Sequence, residues 1–531
     1  MATVRDALYE LLRELNLTTI FGNPGSTEES FLEKLPGDFR YVLGLHEASV
    51  VAMADGYAQN TGAPVLVSLH TAAGIGNAMG NIASAWHNHA PLIIIAGQQT
   101  REMLLLEPYL TNLRATLLPQ PYVKWSYETV RAVDAPAALL RAYAAAVQPP
   151  AGPVFLSIPM DDLDAPYKAI PALRRISRSL QASPAALKET ADVLAAARSP
   201  ALIIGGAVDQ GGGWDDAVRL ADKLRCPVWA APSEGRPGFP ETHPQFQGSA
   251  PAAIGPLCKT LKGHDLVLVI GAPVFRYYPY IAGDYLPKGT RLIQISADPE
   301  ETARAPVGDS ILTDPAAACA VLADLIPQSD RKPSAPKSLS APAEEAKVIS
   351  ADFLFHTLGQ LRPFDCIIVQ ESLSNLKALR KRLPTSKPRS FFSMTSGVLG
   401  YALPAAVGIA LSERDEATDR KVICVVGDGA AQYAIQGLWT AAQLNLPILF
   451  ILVRNVEYAI LKSFAEEQGT PRVPGLDLPG LDSVKLAEGY GCSAGRVSKP
   501  DSLLDALRDA LAKTSPHLLE VVIDPKVPPL I

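Results

Sequence analysis

Lys421–Gln432 reads KVICVVGDGAAQ, and Ile448–Asn455 reads ILFILVRN. Each is a short apolar run that stops at polar residues, Gly427-Asp428-Gly429 in the first and Arg454-Asn455 in the second. Apolar runs of this length without alternation suit strands buried on both faces, as in parallel sheets covered by helices. Asp428 and Asn455 then end consecutive strands, so in a parallel sheet they converge at the carboxyl edge, where doubly wound sheets bind ligands. Carboxylate and amide oxygens suit a hard divalent cation such as Mg²⁺, which bridges phosphate oxygens. The glycines let a backbone approach a diphosphate, and a helix beginning near Ala431 offers free N–H groups. A turn Asp and a turn Asn are also common at strand ends, and GDG alone favours that blander reading.

Outward from this stretch, short β-rich runs alternate with helical segments along the whole chain. Strands are expected at Thr19–Phe21, Tyr41–Leu45, Pro64–Leu69, Leu92–Ala96 and Val154–Ile158. A second set is expected at Ala201–Ile204, Val228–Ala230, Leu266–Ile270 and Arg291–Ile295. A third comprises Cys366–Val369, Val422–Val426, Ile448–Val453 and Leu518–Ile523. The segment PQSDRKPSAPKSLSAPAEEAK (327–347) has the composition of an exposed linker. The fold class is α/β: three domains, each a parallel sheet flanked by helices, over 1–170, 185–326 and 348–531. No internal repeat shows in the sequence.

A chain of 531 residues exceeds a single hydrophobic core. Its 48 Lys+Arg against 54 Asp+Glu give a net charge of −6, which argues against a nucleic-acid partner. Charged residues are 19%, below the usual quarter or so, which hints at surface buried against other subunits. The six cysteines form no C-x-x-C pair, so scattered thiols in a reducing compartment is the expected state. The start, MATVRDALYELLRELNL, is an amphipathic helical pattern without a signal-peptide core, and no apolar run approaches a membrane span. A cytoplasmic protein without a membrane partner is the expectation.

Five polar clusters end strands: FGNPGS (21–26), His46-Glu47, His70, GDG and Arg454-Asn455. Their recurrence in two domains suggests one composite site. Glu47 opens a helix of small and apolar residues, where a carboxylate is costly to bury without a partner; an exposed helix-start Glu is the alternative. His70 is open to reading as a hydrogen-bonded core histidine, and Ser26 as the cap of a helix near Thr27.

GDG followed 27 positions later by Asn455 resembles the cofactor-anchoring motif of thiamine-diphosphate-dependent enzymes. FGNPGS and Glu47 within HEASVVAMADGYAQ are similar to the pyrimidine-binding domain of that superfamily. Within it the likeness is to the benzoylformate decarboxylases, through AGQQT, VKWSYE, IGAPVFRY, LWTAAQ and VPGLD besides. It spans essentially the whole chain, in the order pyrimidine-binding, central and diphosphate-binding domain.

The resemblance implies thiamine diphosphate and Mg²⁺ as cofactors, and a 2-oxo acid decarboxylase working on benzoylformate. It implies that Glu47 hydrogen-bonds N1′ of the aminopyrimidine, that His70 handles protons or polarises the substrate carbonyl, and that Ser26 contacts the substrate carboxylate. Asn23, Pro24 and Gly25 are nominated for the cofactor's pyrimidine side, and Ser374, Gly397, Leu399, Gly427, Asp428, Gly429, Ala430 and Tyr458 for the other. Asp428, Asn455 and the Glu457 carbonyl would hold the metal, while Tyr278, Leu373, Met394, Thr395, Leu461 and Phe464 would wall the substrate pocket. Since family members form the site between subunits, a homo-oligomer, a dimer of dimers, is implied.

Three departures stand out. Tyr278 occupies the place of the motif's second histidine, and a phenol with a pKa of about 10 is a poorer proton shuttle near neutrality. Ala430 and Leu373 replace a hydroxyl residue and a Thr, and the usual Asn pair reads Arg454-Asn455. They leave open another 2-oxo acid or a carboligase; a non-catalytic relative is disfavoured by Glu47, Asp428 and Asn455 all being present. No His-His pair follows AGQQT, which counts against a pyruvate decarboxylase. IIGGAVDQGGG (203–213) lacks dinucleotide spacing and gives no ground for flavin, and WHNH (86–89) has no further ligand nearby for zinc.

Overall fold

The computed structural model describes residues 2–168, 170–335, 347–418 and 420–530; most of the expected 327–347 linker lies outside the described residues. The N-terminal domain holds β1 (Thr19–Gly22), β2 (Arg40–Leu43), β3 (Val65–Leu69), β4 (Leu92–Gln98), β5 (Ser126–Glu128) and β6 (Val154–Pro159). The central domain holds β7 (Pro200–Ile204), β8 (Val228–Ala230), β9 (Phe246–Ser249), β10 (Leu266–Ile270), β11 (Arg291–Ser296) and β12 (Asp309–Leu312). The C-terminal domain holds β13 (Ile367–Glu371), β14 (Phe391–Ser393), β15 (Val422–Gly427), β16 (Ile448–Arg454), β17 (Ser493–Val497) and β18 (His517–Val522). All pairings within the three sheets are parallel.

The N-terminal sheet runs β2-β1-β3-β4-β6-β5 and the C-terminal sheet β14-β13-β15-β16-β18-β17. These are the same order, a structural repeat that the sequence does not display. In both, the chain reverses direction across the sheet between the first and third strands, the place where doubly wound sheets open a ligand crevice. The polar clusters occupy those crevices. Asn23–Ser26 follows β1 and His70 follows β3, while Glu371–Ser374 ends β13 and Gly427–Gly429 ends β15. The expected strand Tyr41–Leu45 stops at Leu43, because Gly44 and Leu45 already lead into the His46 cap of the next helix.

The two terminal domains share one apolar core, built around the helices Glu47–Thr61 and Ala402–Glu416. Both helices are rich in small residues and buried nearly all round. The crossing is set by two glycines: a Cβ on Gly408 would lie 1.9 Å from the Met53 carbonyl oxygen, and one on Gly56 2.3 Å from that of Ala405. The central sheet has cores of its own. Among the described residues no helix is long and apolar enough to cross a membrane.

Candidate active site

Glu47 begins the helix Glu47–Thr61, and His46 caps it by accepting from the Ala48 N–H. Its carboxylate is 8% exposed and is partnered by two neutral amides. Asn23 Nδ2 donates to Oε1 at 3.1 Å, and Asn77 Nδ2 donates to Oε2 at 3.0 Å. Gly74 leaves the room, since a Cβ there would sit 3.3 Å from Glu47 Cγ. Among the described residues no cation pairs with it, so the acid is held by neutral amides that leave lone pairs for a ligand donor.

His70 precedes the helix Thr71–His87, with its Nδ1 2.8 Å from Glu28 Oε2 and 3.2 Å from Thr27 Oγ1. Glu28 is itself buried, accepting from Thr27 Oγ1 at 2.8 Å and from the N–H groups of Gly97 at 2.7 Å and Gly25 at 3.2 Å. A carboxylate only accepts, so Nδ1 carries a proton toward Glu28 and Nε2 is left for other partners. Gly25 is demanded by this arrangement: a Cβ on it would lie 2.1 Å from His70 Nδ1. The alternative reading of Ser26 as a helix cap is not met, because the helix starts only at Glu29 and has no side-chain cap. Ser26 and Pro24 are exposed, on the same loop as Asn23.

At the C-terminal crevice the expected helix near Ala431 is corrected: a single turn, Asp428–Ala431, starts directly from β15, so Asp428 itself is its first residue. Asp428 Oδ1 accepts from the Gly429 N–H at 2.9 Å and Oδ2 from the Val456 N–H at 2.7 Å. Burial pushes this carboxyl above the usual aspartate range, opposed by those backbone donors. Asn455, buried beside it on the end of β16, accepts from the Glu457 N–H at 3.3 Å. The glycines divide in role. A Cβ on Gly429 would meet the Tyr458 ring at 2.5 Å, whereas one on Gly397 would meet nothing and one on Gly427 only the Glu371 carbonyl oxygen at 3.8 Å. Gly429 is therefore packed, and Gly397 and Gly427 border open space. Ala430 packs on the shared core, and Ser374 and Leu399 are half-buried.

Of the expected pocket residues, the Tyr278 and Phe464 rings lie against each other, tilted by 35° with centroids 5.0 Å apart. Leu461, half exposed, shares the helix Ala459–Glu467 with Phe464, and the turn Leu373–Asn375 packs against that helix. Met394 and Thr395 have other partners. Met394 packs against the shared core; Thr395 Oγ1 donates to Asn88 Oδ1 at 2.7 Å, and its carbonyl accepts from Arg276 at 3.2 Å. The hydrogen bonds of Glu47 come from its own domain, as do those of Asp428.

Sequence reasoning missed Glu28, Asn77 and Glu371. Glu28 lies two residues beyond Ser26, but its partners Gly97 and His70 are far along the chain. The fold also brings Asp298 and Glu301 to His89, with ligand atoms within 4.8 Å of one another, which the spacing of WHNH does not show. Those groups are already engaged. Asp298 caps a helix, Glu301 accepts from Ser296 at 2.8 Å and lies by Arg276, and His89 is hydrogen-bonded to the Ala151 backbone.

Three family models, the thiamine pyrophosphate enzyme N-terminal TPP binding domain, central domain and C-terminal TPP binding domain, match residues 2–115, 187–323 and 375–521. A benzoylformate decarboxylase of Pseudomonas aeruginosa is 46% identical over 527 residues, covering 98% of this chain and 99% of that protein. Benzoylformate decarboxylase from Polynucleobacter necessarius superposes with a TM-score of 0.97 at 44% identity, over 100% of both chains. A thiamine diphosphate-dependent 4-hydroxybenzoylformate decarboxylase of Rhodococcus jostii RHA1 does so at 0.95 and 42%, over 98% of this chain and 99% of that one. With the two crevices and their acids in the matching domains, the chain belongs to the thiamine pyrophosphate enzymes, on the benzoylformate decarboxylase branch.

Proposed function

We propose that this enzyme uses thiamine diphosphate and Mg²⁺ to decarboxylate an aromatic 2-oxo acid non-oxidatively, benzoylformate first, giving benzaldehyde and CO₂. The observation that carries the aromatic substrate is the Tyr278–Phe464 ring pair, an aromatic wall beside the Leu373 turn. The relatives are named for benzoylformate and 4-hydroxybenzoylformate, which are flat acids of that shape.

The donor set suits the cofactor. Asp428, Asn455 and the Glu457 carbonyl offer hard oxygen ligands for Mg²⁺, and Gly397 and Gly427 leave space for a diphosphate beside Ser374, Leu399, Ala430 and Tyr458. When bound, thiamine diphosphate supplies a nucleophilic carbon and a sink for the electron pair released with CO₂. Glu47, steadied by Asn23 and Asn77, holds the proton-directing hydrogen bond to the aminopyrimidine. His70, held by Glu28 through Nδ1, handles protons or donates from a protonated Nε2 to the substrate carbonyl oxygen, and Ser26 hydrogen-bonds the substrate carboxylate. Tyr278 donates a hydrogen bond where the motif has an imidazole. In balance, the bond from the carbonyl carbon to the carboxylate breaks, CO₂ leaves, and one proton is delivered to that carbon.

We further infer a homo-oligomer, a dimer of dimers, because large apolar side chains stand exposed between Met103 and Leu117. Six unpaired cysteines, five of them buried, support a reducing, cytoplasmic setting. The test is benzaldehyde release by purified protein with thiamine diphosphate and Mg²⁺, beside pyruvate, phenylpyruvate and branched 2-oxo acids. Cofactor-dependent turnover led by benzoylformate is expected. Cofactor binding with no benzaldehyde would move the reading to another 2-oxo acid or to carboligation, with Tyr278 and Leu373 the first residues to examine.

A further inference from the structure

We propose that Glu371 is the positioning residue for the cofactor-facing segment Gly397–Leu399, an inference that rests on the thiamine diphosphate reading above. Glu371 ends β13 at the C-terminal crevice and is 1% exposed. Among the described residues no cation hydrogen-bonds to it. Its carboxylate accepts from three consecutive backbone N–H groups: Gly400 at 2.6 Å on Oε1, and Tyr401 at 2.9 Å and Ala402 at 2.7 Å on Oε2.

Those N–H groups open the 15-residue helix Ala402–Glu416, whose N-cap Tyr401 provides no side-chain cap. Orphan donors and the positive end of the helix dipole both favour an anion there, and Glu371 supplies it from a different element. The consequence runs backward along the chain. Gly397 and Gly400 adopt φ of +79° and +94°, so the segment between them turns through conformations with little intrinsic preference for one shape. Fixing Gly400 at one end fixes where Leu399 and Gly397 lie. The other side of the segment is tied as well: Asn81 Nδ2 bonds the Gly400 carbonyl at 3.3 Å and the Ala48 carbonyl, next to Glu47, at 2.9 Å. Gly400 is thus the shared node between the acid of β13 and the helix that begins with Glu47. A neutral side chain at 371 lacks the capacity to satisfy three donors at once, and the buried N–H groups left over would pull the segment out of place.

The test titrates thiamine diphosphate with Mg²⁺ into the stripped full chain, following intrinsic fluorescence, for wild type, Glu371→Gln and Glu371→Asp. Leu379→Ala, a buried core change in the same domain, serves as the control for general destabilisation. Glu371→Gln is expected to raise the cofactor Kd about tenfold or more. At saturating cofactor it should leave KM for the 2-oxo acid within about twofold. Glu371→Asp, which keeps the charge, should recover part of the affinity. An unchanged Kd in Glu371→Gln, or an equal loss in Leu379→Ala, overturns the proposal. If the Gln variant does not fold, hydrogen exchange on the wild type decides: the Gly400, Tyr401 and Ala402 amides should be protected with the helix before cofactor is added, and exchange as fast as an open loop overturns it. Affinity is read without substrate, so a failure on benzoylformate leaves this test intact, and wild-type protein that binds no thiamine diphosphate refutes the function rather than the exchange result.

Discussion

Glu47 shows how much a single side chain depends on neighbours that periodicity does not reveal. Its place at a helix start was legible, whereas its two amide partners lie 24 positions before and 30 after it. Glu47→Gln keeps the shape, and a flipped Asn accommodates the new amide, so cofactor should still bind while kcat falls about a hundredfold or more. Cofactor titration alongside turnover checks this, and normal turnover removes Glu47 from the reaction. Tyr278→His restores an imidazole against Phe464, so benzoylformate turnover should rise; steady-state rates across pH 6–8 decide, and no rise means the phenol already does the work. Two turns beyond Glu47, Asp55 accepts from Gln59 and Asn88, each at 2.8 Å, and burial pushes its carboxyl up to about 7. A raised folded-state pKa favours the protonated form, so its stabilising contribution is whole below the unfolded value of 3.8 and gone above about 7. Between pH 5 and 8 the wild type should therefore lose about 2 kcal/mol relative to Asp55→Asn, whose amide mismatch costs the same at both ends and cancels. Parallel melting curves against pH for the two proteins would show that Asp55 titrates as an ordinary carboxyl.

At the scale of elements, the apolar-run reading finds the central strands and misses β5, β9, β12, β14 and β17, every one of them a sheet edge. The physics is direct: an edge strand is short and packs fewer faces, so segments such as SYE or DSIL carry no continuous apolar signal. The repeated strand order of the terminal domains was hidden for a related reason. Topology constrains where burial falls, and different apolar side chains satisfy the same burial. The helix opened by Glu47 was legible as a small-residue stretch, but its contact with Ala402–Glu416 was not, since Gly56 and Gly408 matter only once the two helices are side by side. Gly408→Ala drives a methyl into the Met53 carbonyl and should cost about 2–3 kcal/mol. Because this crossing joins the two crevices, cofactor affinity should fall together with the melting temperature. A variant that melts and binds like wild type would mean the helices separate without strain.

For the whole molecule, the thin charge of the composition finds its structural counterpart on one loop. Leu105 is 90% and Tyr109 95% exposed, with Leu106, Leu113 and Leu117 also largely bare. Isolated apolar side chains on a surface mean little, whereas a cluster of this kind marks a contact surface. Its location gives it a function. The loop leaves the carboxyl end of β4, the same edge of the N-terminal sheet from which Asn23, Glu47 and His70 project their chemistry. In the proposed oligomer a second subunit seated there would cover the loop and close the crevice from water in one step, which would strengthen every charged interaction inside. Assembly and turnover should therefore fail together. Leu105→Asp combined with Tyr109→Asp places two charges in the contact, and light scattering should show a smaller particle while the circular dichroism of the fold is kept. Specific activity should drop with it, and in the wild type it should fall on dilution below the concentration at which the particle dissociates. A variant that is monomeric and fully active would show that each chain closes its own site, and would separate the apolar loop from catalysis altogether.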